Sequence, residues 1–170
     1  MAANPQTDHK TEIRTITTTA ELAEFCELAK AQPYVTLDTE FLRERTYYSK
    51  LCLIQAALPP ASASKLPGGP AVLIDPLVEG LSLEPLYDLF RHKATVKVFH
   101  AARQDLEIFF HDAGVFPDPL FDTQIAAMVC GFGEQAGYET LVKKIARQPL
   151  DKSSRFTAWS HRPLADAQAA

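Results

Sequence analysis

The chain has 170 residues, enough for one domain around a single core, and its 46% hydrophobic fraction excludes a globally disordered polymer. A formal charge of −4 argues against a protein that coats nucleic acid by bulk electrostatics, although a local basic strip beside an acidic site remains compatible with it. The three cysteines, Cys26, Cys52 and Cys130, form no C-x-x-C pair and read as buried thiols rather than a disulfide framework or a zinc site.

No apolar run is long enough to span a membrane. Leu51–Leu58 is broken by Gln55 and closed by Pro59-Pro60. The opening "MAANPQTDHKTE" lacks an apolar segment of the signal-peptide kind, so residues 1–12 read as a polar leader and the location as cytoplasmic.

In chain order, Ile13–Thr17 reads as a short strand. A helix follows, capped at Thr18 or Thr19, with Glu21 in its first turn and Leu22, Phe25, Cys26 and Ala29 at helical spacing. Tyr34–Asp38 and Leu51–Leu58 read as strands, "PPASASKLPGGP" as a surface loop, and Ala71–Ile74 as a strand ending at Asp75-Pro76. Leu83–His92 is an expected helix, Val96–His100 a strand and Arg103–Asp112 a helix closed by Gly114. Phe121–Cys130 and Tyr138–Arg147 are further expected helices, the second with Tyr138, Leu141 and Ile145 on one side. Residues 148–170 read mostly as loop. Early strands followed by alternating strands and helices imply an α/β domain with a mixed sheet. No G-x-G-x-x-G follows any strand, which argues against an all-parallel dinucleotide fold.

The apolar strand Tyr34–Leu37 runs into Asp38 and Glu40. Residues i and i+2 of a strand share a face, so the two carboxylates are mounted side by side. Such a pair is suited to a hard divalent cation, although an exposed pair can equally be solvated. Asp105 lies in the first turns of the helix after "VKVFH", where it either favours the helix dipole or adds a third acidic ligand. His100 ends the preceding strand and reads as a core histidine or a substrate contact. Asp122 begins the run "DTQIAAMVC" and reads as an N-cap or a substrate-orienting group.

Taken together, "VTLDTEFLRERTYYSKLCLIQ", "LIDPL", "KVFHAARQDLEIF", "PLFDTQIAAMVCGFG", "YETLVKK" and "DKSSRFTAWSHRPLADAQ" resemble bacterial ribonuclease D, of the DEDD superfamily of 3′-5′ exonucleases. The resemblance implies an α/β, ribonuclease H-like fold: a mixed central sheet flanked by helices, here over residues 13–170. It implies divalent-metal-dependent hydrolysis of the 3′-terminal phosphodiesters of RNA, of the tRNA 3′-processing type, releasing nucleoside 5′-monophosphates. Asp38, Glu40 and Asp105 match the catalytic and metal-binding positions of the first two family motifs, and two Mg²⁺ or Mn²⁺ ions are the implied cofactors. The implied partners are single-stranded RNA 3′ ends, with no membrane and no organic cofactor; a monomer is the expectation, and the sequence leaves the oligomeric state open. The family's third motif, Tyr-x-x-x-Asp, has no match: no Tyr follows Tyr138 and no Asp follows Asp166. The helical C-terminal domains of the family have no match either. The expectation is a chain truncated before that motif, with an impaired second metal site and weak or no activity alone. The alternatives are a DNA-directed DEDD exonuclease and a non-catalytic nucleic-acid- or partner-binding module of the same fold.

From Lys143 to Arg162 six basic residues face one acid, Asp151. This run, with Lys152 and Arg155 in "DKSSRF", reads as a phosphate-contacting strip or as a solvated face. Phe41, next to the first motif, reads as a stacking wedge for the terminal base or as a core side chain.

Overall fold

The computed structural model describes residues 13–43, 47–60, 69–147 and 159–164. They build a six-stranded mixed sheet of β1 (Arg14–Ile16), β2 (Tyr34–Leu42), β3 (Lys50–Ala57), β4 (Ala71–Ile74), β5 (Val96–Phe99) and β6 (Leu120–Asp122). The strand order is β1-β4-β3-β2-β5-β6. Strand β3 runs antiparallel to both its neighbours, and the remaining pairs are parallel.

Three helices pack on one face: α1 (Thr19–Lys30), α2 (Glu84–Arg91) and α3 (Arg103–Ala113). Helix α1 starts where a capping box can form. The Thr18 hydroxyl accepts from the Glu21 amide at 3.3 Å, and the Glu21 carboxylate accepts from the Thr18 amide at 3.2 Å. Its buried residues Leu22, Phe25, Cys26 and Ala29 are the expected stripe. They meet Val35 and Leu37 of β2, Leu86, Leu89 and Phe90 of α2, and Ile108 and Phe109 of α3 in one core. Phe109 is fully buried, edge-on to both Phe90 and Phe99. Truncating such a ring to alanine costs about 3–5 kcal/mol. Helix α3 stops at Gly114, whose φ of 65° is a left-handed conformation that glycine adopts without penalty.

Lys97 on β5 is fully buried, an arrangement sequence pattern did not suggest. Its ammonium donates to the carbonyls of His92, Thr95 and Asp118 at 2.7–2.9 Å, tying two loops to the strand.

Four expectations change. Strand β2 continues past Asp38 to Leu42, so both carboxylates lie within it. The expected helix over Phe121–Cys130 is instead the end of β6 and a shorter helix, α4 (Thr123–Val129). Asp122 has extended backbone and caps α4 with its own side chain, so the helix cannot begin before it. The helix expected over Tyr138–Arg147 is one turn, α5 (Tyr138–Leu141), followed by a π-helical turn Val142–Ala146. Leu141 alone of its three apolar residues is buried, and Tyr138 and Ile145 face solvent. Cys26 and Cys52 are buried as expected, whereas Cys130 is exposed. Of residues 148–170, those described (159–164) form turns and bends. No described helix is long and apolar enough to cross a membrane.

Candidate active site

Strand β2 alternates strictly: Val35, Leu37 and Thr39 are buried toward the helices, while Thr36 and Asp38 point to the opposite face. That face carries a recess of about 470 Å³, lined by Asp38, Thr36, Gln55, Leu73, His100 and Tyr138 among others. Asp38 reaches solvent at its rim, and the Thr39 amide donates to its Oδ1 at 3.0 Å. The surrounding chain raises its carboxyl pKa, against the lowering effects of that hydrogen bond and of His100.

Glu40 is half-buried one step further along the strand. Burial, then repulsion from Asp38 and Asp105, pushes its carboxyl up to about 7. At this point the ladder slips. Glu40 pairs with Leu53 and Phe41 with Leu51, leaving Cys52 as the extra residue of a bulge.

Asp105 sits in the first turn of α3 and is 6% exposed. The Thr39 hydroxyl donates to its Oδ1. Burial pushes the Asp105 carboxyl up to about 6; the Thr39 hydrogen bond opposes this, and Asp38 adds repulsion. Three carboxylates from two elements thus feel one another, and none makes an ion pair with a described lysine or arginine.

The turn between β5 and α3 is held from β6. Asp122 accepts from the amides of Ala101 at 3.0 Å, Ala102 at 2.9 Å and Gln124 at 2.8 Å. Those bonds hold its carboxyl below the usual range against the effect of burial. Asp122 thus caps α4, the N-cap role read from the sequence, and the same carboxylate holds the backbone that launches α3. His100 lies beside Asp38 in the recess, its Nδ1 2.9 Å from Thr123 Oγ1.

Phe41 packs against the main core and is only partly exposed, which favours its core reading over a base wedge. Lys152 and Arg155 lie outside the described residues. Lys143, Lys144 and Arg147 are exposed. Arg162 is withdrawn from the basic strip. It grips Asp75 through Nε–Oδ2 at 2.5 Å and Nη2–Oδ1 at 2.7 Å, and donates from Nη2 to the Cys52 carbonyl at 2.7 Å. Cys52 is the bulged residue, so Arg162 occupies the carbonyl that the slip takes out of ladder register. The pairing Ile54–Ile74 puts Asp75 level with Leu53, and Leu53 pairs with Glu40. The Arg162 clasp is thus one strand removed from Glu40, at the same end of the sheet.

Charge and donor type at this end fit a hard divalent cation: three carboxylates whose pKa values are raised chiefly by burial. The side chains do not converge, however. No set of three or more His, Cys, Asp or Glu among the described residues is gathered closely enough to hold an ion. Asp105 is turned toward Thr39, on the buried side of β2, while Asp38 projects to the other side. Thr39 and Tyr138 belong to this end of the molecule and were missed in the sequence. Only the position of Thr39 between the two acids signalled it.

The model of the 3′-5′ exonuclease family matches residues 13–170. Over 154 residues the chain is 69% identical to a ribonuclease D of Jannaschia sp. (strain CCS1), which covers 91% of this chain and 39% of that protein. A ribonuclease D of Nitrobacter hamburgensis is 50% identical over 153 residues, 90% of this chain and 38% of that protein. The crystal structure of Escherichia coli RNase D, described as an exoribonuclease involved in structured RNA processing, superposes with a TM-score of 0.81 at 39% identity, over 92% of this chain and 39% of that one. The chain spans about two fifths of the length of these relatives. Matched along its whole described length, with the acidic strand and helix in place, the chain belongs to the 3′-5′ exonuclease family.

Proposed function

We propose that this chain forms the nuclease portion of a divalent-metal-dependent exoribonuclease of the ribonuclease D kind, removing nucleoside 5′-monophosphates from single-stranded RNA 3′ ends. The observation that carries the reading is the group Asp38, Glu40 and Asp105: carboxylates at one sheet end, raised in pKa chiefly by burial, with repulsion added at Glu40 and Asp105, and none in an ion pair with a described lysine or arginine. The ribonuclease D relatives support RNA as the substrate.

Asp38 and Glu40 would hold Mg²⁺ or Mn²⁺, and Asp105 would join them only by turning away from Thr39. Bound there, such ions lower the pKa of an attacking water and neutralise charge on the phosphoryl oxygens. Strand β2 supplies rigidity, because its buried residues Val35, Leu37 and Thr39 fix the direction of the acids between them. In the reaction, water adds its oxygen to the terminal phosphorus and loses a proton to solvent. The bond from phosphorus to the preceding 3′ oxygen breaks, and that oxygen takes up a proton. Lys143, Lys144 and Arg147 are exposed, and their charge would meet the strand's phosphates.

The test is single-turnover incubation of the chain, in excess, with 3′-labelled single-stranded RNA and Mn²⁺. Slow release of labelled nucleotide, abolished by Asp38→Asn and by Glu40→Gln, supports the reading. Release that persists in both variants, or no release together with no Mn²⁺ binding by calorimetry, overturns it. A non-catalytic module of the same fold is favoured by one observation, the rotation of Asp105 onto Thr39. RNA binding without Mn²⁺ binding would select that second reading.

A further inference from the structure

The connection from β2 to β3 carries two adjacent tyrosines that take no part in the acidic site. Tyr48 is half exposed, and Tyr47 is 82% exposed. A single exposed ring is ordinary on a protein surface, but these two are built into a stack. Tyr48 lies flat on the imidazole of His111 in α3, with ring centroids 3.7 Å apart and planes 10° from parallel. Tyr47 stands at 84° to Tyr48, with centroids 5.0 Å apart. A helix thus anchors the first ring, the first ring braces the second, and most of the second is left in water. Exposed cations flank the pair in the chain: Arg43 just after β2, and Lys50 at the start of β3.

The stack belongs to the acidic end of the sheet. Leu42 pairs with Lys50; Glu40 stands two residues before Leu42, and Tyr48 two residues before Lys50. Strand and chain dimensions then keep the Cα atoms of Glu40 and Tyr48 within about 20 Å of each other. Asp105 and His111 lie on the same helix, about 9 Å apart along its axis. That offset exceeds two rises of about 3.4 Å per nucleotide in a stacked strand. The rings therefore stand beyond the nucleotide whose phosphate would lie at the acids.

We propose that Tyr47, braced by Tyr48 and His111, is a stacking platform for one base of a bound single-stranded RNA, a base other than the terminal one being removed. The inference rests on the exonuclease reading. An exposed ring with cations beside it matches the two repeating features of such a strand, flat bases and phosphates. Stacking accepts any base, because each has a π-face, and this suits an enzyme that shortens a strand whatever its sequence. The bracing matters as well: a ring already held by its neighbours loses less rotamer freedom when a base settles on it. An aliphatic protein partner would need apolar surface without the flanking charge.

Because Tyr47 is mostly in water, replacing it leaves the fold intact. The 170-residue chain is titrated by fluorescence anisotropy, in calcium buffer, with fluorescein-labelled oligoadenylates. One strand is intact, and each of the others carries a single abasic ribose at a different position from the 3′ end. Expected is a wild-type loss of roughly five- to a hundredfold at one internal abasic position. Tyr47→Ala should bind the intact strand as weakly as the wild type binds that abasic strand, and lose nothing further on it. Tyr47→Phe keeps the ring and should keep the wild-type pattern, whereas Tyr47→Leu should behave as Tyr47→Ala. Wild-type affinity of Tyr47→Ala for every strand overturns the proposal and leaves the pair to a protein partner. An equal loss on every strand, the sensitive abasic one included, overturns it too, as does a Tyr47→Leu chain that keeps the pattern. Sensitivity at the 3′-terminal base alone also overturns it. RNA binding with no position-dependent loss defeats this inference and leaves the exonuclease reading intact. No binding of any strand defeats both.

Discussion

The Thr39 hydroxyl donates to the Asp105 carboxylate, a bond between a central strand and a helix separated by 66 residues. It crosses from β2 to α3 at the level of the two strand acids, and it holds Asp105 on the buried side of the strand. Thr39→Val is close in shape but removes the donor. The variant should lose about 1–3 kcal/mol of stability at pH 7.5, the cost of leaving a buried carboxylate without that partner. Urea unfolding measures it. Added Mn²⁺ should recover more stability in the variant than in wild type, because Asp105 is then free to turn toward the ion. Equal Mn²⁺ effects in both proteins would refute the second half of this prediction.

Glu40 and Asp105 make the fold prefer mild acid. Both have folded-state pKa values raised above their ordinary ones, to about 7 and about 6. Between the ordinary and folded values the native state binds more protons than the unfolded chain. Their contribution therefore destabilises as pH rises from about 4.5 to 7, and the strain is fully present above 7. Glu40→Gln isolates the effect. The variant should melt higher than wild type at pH 8 and converge with it near pH 4.5, as scanning calorimetry at several pH values would show. Mn²⁺ should shrink the difference at pH 8, since a bound cation favours the ionised form.

Lys97 is the opposite case. Burial depresses its pKa to about 8, although three carbonyls surround its ammonium. Between 8 and the ordinary value of 10.5 the unfolded chain binds more protons, so this residue's contribution improves as pH rises through that window. Lys97→Met leaves three acceptors bare and should cost on the order of 3 kcal/mol at pH 7. The gap between wild type and variant in urea unfolding should widen from pH 8 to 10. A gap constant with pH would show that the amine does not titrate in that range.

Ala101 carries a φ of 57°, a left-handed conformation unfavourable for a residue with a Cβ, and Asp122 holds it there through two adjacent amides. Asp122→Ala should destabilise by about 2 kcal/mol and speed hydrogen exchange at the amides of residues 101 and 102. Ala101→Gly should stabilise by about 0.5–1 kcal/mol, because glycine accepts this φ freely. If Ala101→Gly lowers the melting temperature, the left-handed turn is not a source of strain.

Much of this was legible in the residues. The capping box at Thr18 and Glu21, the stripe of α1 and the Gly114 stop are local rules, and each element appeared where the rule put it. The pairing of Asp38 with Glu40 also followed from strand geometry alone. What was not legible is long-range. Leu120 and Phe121 carry an apolar pattern that a helix or a strand can use, and pairing with β5 decides for the strand. Phe41 and Asp122 were open between two roles until the core and the β5–α3 turn claimed them. The basic run looked uniform, yet Arg162 is spent on Asp75, 87 residues away. The partnership of Thr39 with Asp105 required knowing that α3 crosses β2.

The Arg162 clasp makes the intervening chain a closed circuit. Asp75 and Arg162 are its two ends, and β5, α3, β6 and α4 lie between them. Mechanical pull on the segment 159–164 would be transmitted first to the Cys52 bulge, and from there to Glu40 on the next strand. A partner that grips this segment would thus have a lever on the acidic end of the sheet, with one guanidinium as its fulcrum.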